Sequence, residues 1–309
     1  MALLYRFQSL LLVTLIATLW SCTASPPLSR PLPARVQQFN NTSWRQGQPH
    51  QGGSLTGAFR LHAQVPSQHL QHKRDVLVWL PPNYSEASRY PVLYVHDGNN
   101  LFDRRTTFGG VEWQLDENAR RLIQQQQIHP VIIVGIYNTA DRMAEYIWHA
   151  DTYNGNTHGG KGADYARFLV KELKPFIDQT YSTRPEREHT AIMGSSLGGL
   201  ISFDTARAYP EVFSKVGMLS PSVWWKDQQA VKDIASLSKN TRVWVDMGTR
   251  EGQNPDAMLG AAKNFVSGLE SAGFEHFKNL AFHIEEGGDH SESAWARRIH
   301  RPLSFFYGK

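Results

Sequence analysis

Three side chains in this sequence have the types, spacing and flanking pattern to act together on a carbonyl carbon. Gly194-Ser195-Ser196-Leu197-Gly198 spells G-x-S-x-G between a β-type run, Glu188-His189-Thr190-Ala191-Ile192-Met193, and a helical run that begins near Leu200. A sharp strand-to-helix turn strains the backbone at its central residue and crowds the neighbours, so small residues flank it. Ser196 is therefore the candidate nucleophile. Its hydroxyl attacks only if a base removes the proton, and the base must be oriented by a carboxylate.

Both partners follow in the chain, acid before histidine. Thr241-Arg242-Val243-Trp244-Val245-Asp246-Met247 reads as a buried strand ending at Gly248-Thr249-Arg250-Glu251-Gly252, where Glu251 on the loop can reach back over the sheet edge. Asp246 and Asp256 compete with it. Asp246 lies inside the strand pattern and reads as a hydrogen-bonded structural carboxylate, while Asp256 follows Pro255 as a first-turn helix residue favoured by the helix dipole. Among 13 histidines, His290 stands out by location. It follows a last strand, Asn279-Leu280-Ala281-Phe282-His283-Ile284, and the turn Glu286-Gly287-Gly288-Asp289, and it precedes a helix from about Glu292. Asp289, its chain neighbour, would point away from it.

Positioning these residues requires a sheet. Asp75-Val76-Leu77-Val78-Trp79-Leu80 reads as one strand, and residues 91 to 95 and 131 to 136 read as two more. Tyr165, Phe168, Leu169, Leu173 and Phe176 recur at helical spacing, which predicts an apolar stripe laid against that sheet. Strands alternating with helices predict an α/β fold whose mostly parallel sheet is covered on both faces. A chain of 309 residues with 41% hydrophobic content buries a full core, and a single domain of about 250 residues is a normal size. The net charge of +4 is dispersed, without the basic and aromatic interleaving that nucleic acid requires.

The N-terminus carries an export signature. Arg6 precedes the apolar run Leu10 to Ala17, too short to span a bilayer but the right length for a signal-peptide core. Residues 1–21 are read as a signal peptide and residues 22–54, rich in Pro, Ser, Gln, Asn and Gly, as a flexible tether, leaving 55–309 as the domain. Cys22 is the single cysteine and has no internal disulfide partner. It follows Leu19-Trp20-Ser21 in a lipobox-like context, so an exported, periplasmic lipoprotein anchored through Cys22 is expected. Cleavage nearby, for instance after Ala24, would instead give a soluble exported protein.

Five stretches resemble the esterase D and enterochelin-esterase-like branch of the α/β-hydrolases. They are residues 90 to 102 with the core His96-Asp97-Gly98-Asn99-Asn100, the turn Met193-Gly194-Ser195-Ser196-Leu197-Gly198-Gly199, Leu219-Ser220-Pro221-Ser222-Val223-Trp224-Trp225, Gly248-Thr249-Arg250-Glu251, and His290-Ser291-Glu292-Ser293-Ala294-Trp295. They occur in the family's order across roughly residues 55 to 309. The resemblance implies an α/β-hydrolase fold and a serine esterase with Ser196 as nucleophile, Glu251 as acid and His290 as base. Relatives often place aspartate where this chain has the longer Glu251. Their substrates include siderophore trilactones, feruloyl and acetyl-xylan esters and S-formylglutathione, and some are mycolyl acyltransferases.

That fold supplies an oxyanion hole from the N–H after the nucleophile, here Leu197, and from the loop after an early strand, here Asn99. The short connection between Ser220 and a helix near Asp227 leaves little room for a lid, so an open site without a large lid domain is expected. Trp113, Trp224 and Trp225 are candidates for lining it, with plain packing as the competing reading. Arg142 and Glu145 read as a structural ion pair, with substrate contact as the alternative. No metal-ligand spacing, phosphate loop or redox pair appears, so no metal or cofactor is expected. The expected partner is a small-molecule or carbohydrate-linked ester, with membrane contact only through a lipid anchor. A non-catalytic surface-binding lipoprotein of the same fold, or an acyltransferase, are the alternatives.

Overall fold

The β-branched and aromatic runs of the sequence form strands, and in this computed structural model, which describes residues 44–47 and 54–309, they build one large sheet. In chain order the strands are β1 Trp44–Gly47, β2 Ala58–Val65, β3 Arg74–Leu80, β4 Val92–His96, β5 Ile132–Ile136, β6 Asp151–Tyr153, β7 Asn156–His158, β8 Thr190–Ser195, β9 Lys215–Leu219, β10 Arg242–Gly248 and β11 Leu280–Glu285. The sheet order is β1-β2-β3-β5-β4-β8-β9-β10-β11, with β6 and β7 forming a separate hairpin. From β5 to β11 every pairing is parallel, and β1 to β3 add an antiparallel edge. The fold is the expected α/β type.

Helices cover both faces because successive strand residues point to opposite sides. Val76 and Val78 of β3 pack on one face, Leu77 and Trp79 on the other. The first face receives α2 Gly162–Arg167 and α3 Lys174–Thr180, joined by the wider turn Phe168–Leu173, then α4 Leu197–Ala208, α5 Trp225–Asp233 and α6 Pro255–Ser271. The second receives α1 Leu115–Gln124, α7 Glu292–Arg298 and α8 His300–Tyr307. Helix α4 is buried from Leu197 to Ala206, as expected of a helix apolar on nearly every side. Its Phe203 meets Phe265 of α6 edge to face at 5.1 Å, a contact worth about 0.5–1.5 kcal/mol beyond area burial.

Within the segment read as a tether, Trp44–Gly47 pairs antiparallel with β2. Edge strands are short and carry no alternation of their own to betray them. Residues 1–21 and Cys22 lie outside the described residues. No helix among the described residues is long and apolar enough to cross a membrane. The parallel strands β4, β8, β10 and β11 all end along one edge of the sheet, where open α/β sheets bind their ligands.

Candidate active site

Ser196 sits at the turn from β8 into α4 with φ 55° and ψ −122°, a region costly for any residue with a Cβ. The turn is held in that shape from both sides. The Ser196 N–H donates to Leu219 O at 2.9 Å, and its carbonyl accepts from Ser222 N at 3.1 Å. A Cβ on Gly194 would lie 2.6 Å from the Gly198 carbonyl carbon, which is why small residues bracket the serine. The Ser196 hydroxyl rests 3.3 Å from Ser222 Oγ.

Two neighbouring loops bring the acid to the histidine. Thr249 N donates to Glu285 O, and Arg250 N donates to Gly288 O at 2.8 Å, so the chain beyond β10 is stitched to the chain beyond β11. Glu251 is buried, and its Oε2 accepts from His290 Nδ1 at 2.8 Å. That bond leaves the imidazole Nε2 bare, the tautomer a general base requires. The ring also meets Trp295 edge to face at 5.1 Å. Asp246 is elsewhere, fully buried and bonded to Trp244 Nε1 and to Arg298. Asp256 lies in the first turn of α6, and Asp289 accepts from Ser291 Oγ.

The two loops approach so closely that a Cβ on Gly248 would lie 2.2 Å from Gly288 O. Gly248→Ala must spread them, at about 1–3 kcal/mol. For a chain of this size that lowers Tm by roughly 2–4 °C per kcal/mol, and it pulls Glu251 from His290, so turnover falls as well. A thermal melt with a parallel rate assay on one sample checks both; an unchanged melt shows that the loops tolerate the methyl group.

Ser196 and His290 line one cavity of about 420 Å³ with Asp97, Asn99, Asn100, Phe108, Asn138, Arg142, Glu292 and Trp295. Its wall after β4 depends on Gly98, where a Cβ would sit 2.5 Å from the Gly135 carbonyl carbon. Burial alone would raise the Asp97 carboxyl, but the Arg142 guanidinium, forked across it at 2.7 and 2.8 Å, holds it below the usual carboxylate range. Burial pushes the neighbouring His96 down to about 3, so that ring is neutral. Leu197 opens α4, where the first N–H groups have no carbonyl partner within the helix. Asn99 faces the cavity, with one side-chain N–H donated to Asn100 Oδ1 at 2.9 Å.

Of the two readings of the tryptophans, lining or packing, the geometry matches packing. Trp113 is fully buried and packs on Trp295 at 5.6 Å. Trp225 is buried and donates to His149 O, while Trp224 stacks near Tyr153 of the β6–β7 hairpin at 5.7 Å. None of the three lines the cavity, because Ser222 is hydrogen-bonded to Ser196 and the chain beyond it turns towards that hairpin. Arg142 and Glu145 are both ion-paired, but to Asp97 and Arg74 and not to each other. Phe108, Asn138 and Glu292 escaped the sequence reading, since each lies on a loop or helix end whose position only the fold sets.

Among the described residues, two acidic groups converge closely enough to hold a cation. His149, Asp204 and Asp233 converge, but the Arg207 guanidinium already bridges both carboxylates. Glu112, Asp116 and Glu117 also converge; burial raises Glu112 to about 7 and raises Asp116 as well.

The family model described as "Putative esterase" matches residues 67–306. The chain belongs to the esterase family. It is a carboxylic-ester hydrolase. The esterase is 30% identical over 252 residues to the Bacillus subtilis protein YbbA, described as uncharacterized, covering 79% of this chain and 96% of that one. It is 25% identical over 229 residues to an endo-1,4-beta-xylanase/feruloyl esterase of Xylanibacter ruminicola, covering 72% of this chain and 28% of that protein. Among solved structures, the enterochelin esterase of Shigella flexneri superposes with a TM-score of 0.62 at 18% identity, covering 84% of this chain and 61% of that one, a likeness of fold.

Proposed function

We propose that this esterase hydrolyses its substrate through an acyl-enzyme formed on Ser196, with His290 as base and Glu251 as the acid behind it. The observation that carries this reading is the 2.8 Å bond from His290 Nδ1 to Glu251, beside a strained serine that lines the same cavity. Rotation about the serine Cα–Cβ bond takes the hydroxyl from Ser222 towards the imidazole, whose Nε2 accepts the proton as Oγ attacks the ester carbonyl. Glu251 stabilises the imidazolium, and N–H groups of Leu197 and Asn99 meet the developing oxyanion. The imidazolium then protonates the departing alcohol, and water repeats the sequence to release the acid.

For substrate we propose a polar or aromatic ester, either a siderophore trilactone or a feruloyl or acetyl ester. The feruloyl-esterase and enterochelin-esterase activities named for the Xylanibacter and Shigella relatives support this. So does a cavity walled by amides and charges, with Phe108 84% exposed at its lip. A panel of p-nitrophenyl, feruloyl and catechol-siderophore esters tests it. Turnover of one class assigns the substrate; silence across the panel favours a binding module.

We also propose that the chain is exported and anchored through a lipidated Cys22, on the sequence pattern alone. Cys22→Ser made in the native host is expected to lose membrane association, since acyl chains supply the anchoring energy. Mass spectrometry showing an unmodified N-terminus beyond residue 22 would contradict this and leave the catalytic reading intact.

A further inference from the structure

Behind Glu251 lies a buried polar network that packing does not explain. Arg298 of α7 is 1% exposed, a placement that costs several kcal/mol of lost hydration before any pairing. Its Nε donates to Asp246 Oδ1 at 2.8 Å and its Nη1 to Glu285 Oε2 at 2.5 Å. Its Nη2 reaches Ser220 Oγ at 2.6 Å and Glu251 Oε1 at 3.4 Å. Ser220 is held with φ 42°, and its hydroxyl is saturated: it accepts from Arg298 and from Trp295 Nε1 at 2.9 Å, and donates to Glu251 Oε1 at 2.5 Å. Gly248 N–H adds a further donor to that oxygen at 2.6 Å.

We propose that Arg298, acting largely through Ser220, is the positioning residue of the site, fixing Glu251 so that only Oε2 faces His290. The proposal rests on the triad reading above. Its logic is steric as well as electrostatic. Glutamate has one more rotatable bond than aspartate, so its carboxylate can swing unless one oxygen is pinned. Here Oε1 is pinned from three directions, and the guanidinium is the cation set between two neighbouring carboxylates, Glu251 and Asp246, in a dry interior. Apart from His290 on the far side of Glu251, neither has another ion-pair partner among the described residues; Glu285 additionally meets Arg297. Lysine cannot replace the fork, because one ammonium does not reach Asp246, Glu285 and Ser220 in a plane.

The test uses full-length Ser220→Ala, Arg298→Lys and Arg298→Met, each checked by thermal melt. Ser220→Ala is expected to stay folded and to lose about tenfold in kcat with KM little changed, since one hydrogen bond to a charged group is removed. In the Arg298 variants the loss is larger. The acid limb of kcat against pH moves to higher pH, because the guanidinium's positive charge beside the Glu251–His290 pair is lost or displaced. The downfield proton NMR resonance of His290 Nδ1–H shifts in all three. A fall in kcat with the pH limb and the resonance unmoved means a structural role only and overturns the proposal, as does unchanged behaviour throughout. If Arg298→Met does not fold, Ser220→Ala and Arg298→Lys decide. The NMR readout does not need turnover, so a wild-type protein silent on every ester would defeat the triad reading while still testing whether Arg298 orients the Glu251–His290 pair.

Discussion

Ser196→Ala is expected to abolish ester hydrolysis, with kcat falling about 10³–10⁶-fold while the thermal melt stays close to wild type. The size follows from the chemistry. No other hydroxyl stands on the strained turn between β8 and α4; Ser195 belongs to buried β8, and Ser222 is buried against the serine it accompanies. The remaining rate reflects binding and oxyanion stabilisation alone. The fold survives because the turn is held by main-chain bonds to Leu219 and Ser222 that alanine keeps. Turnover near wild type in a folded Ser196→Ala protein would remove the nucleophile from the account.

The acid gives the second large effect, and the structure separates two carboxylates that the strand pattern places close together. Glu251→Gln is expected to cut kcat by about 10²–10⁴-fold, because glutamine cannot stabilise the imidazolium and presents an amide to His290 Nδ1. Asp246→Asn is expected to act on stability instead, by about 1–3 kcal/mol. Asp246 makes no contact with the imidazole; its partners are Trp244, Arg298 and the Ser220 N–H, and burial raises its carboxyl. Paired rate and melting measurements on the two variants check this, and the reverse ranking in kcat would move the acid to Asp246.

Much of this was legible in the residues. The G-x-S-x-G turn declared itself because a strained turn there favours small residues: a Cβ on Gly194 would collide with the Gly198 backbone, and one on Gly198 would sit tightly, 3.3 Å from His96 Cβ. The strand end carrying Glu251 was legible because β10, buried along nearly its whole length, reads as an apolar run. What escaped were quantities set by three-dimensional approach. Whether Trp113 or Phe108 faces a cavity depends on how the segment after β4 folds back onto α7, and an aromatic residue reads the same in either place. Trp113 went to the core and Phe108 to the lip. Arg298 had no place in the sequence reading: it stands in the last turn of α7, and the approach of α7 to β10 brings it beneath Glu251. The short strand Trp44–Gly47 was invisible for the opposite reason: its pairing with β2 is made by main-chain groups, which composition does not report.

The central claim is that Ser196 carries the acyl group, and covalent labelling tests it most directly. The full-length protein is treated with a serine-reactive fluorophosphonate, and residual esterase activity is followed while the modified peptide is mapped by mass spectrometry. The account predicts a single adduct on Ser196 that grows in step with the loss of activity and is absent from Ser196→Ala. An adduct on Ser195 or Ser222, or full activity in protein labelled at Ser196, would contradict it.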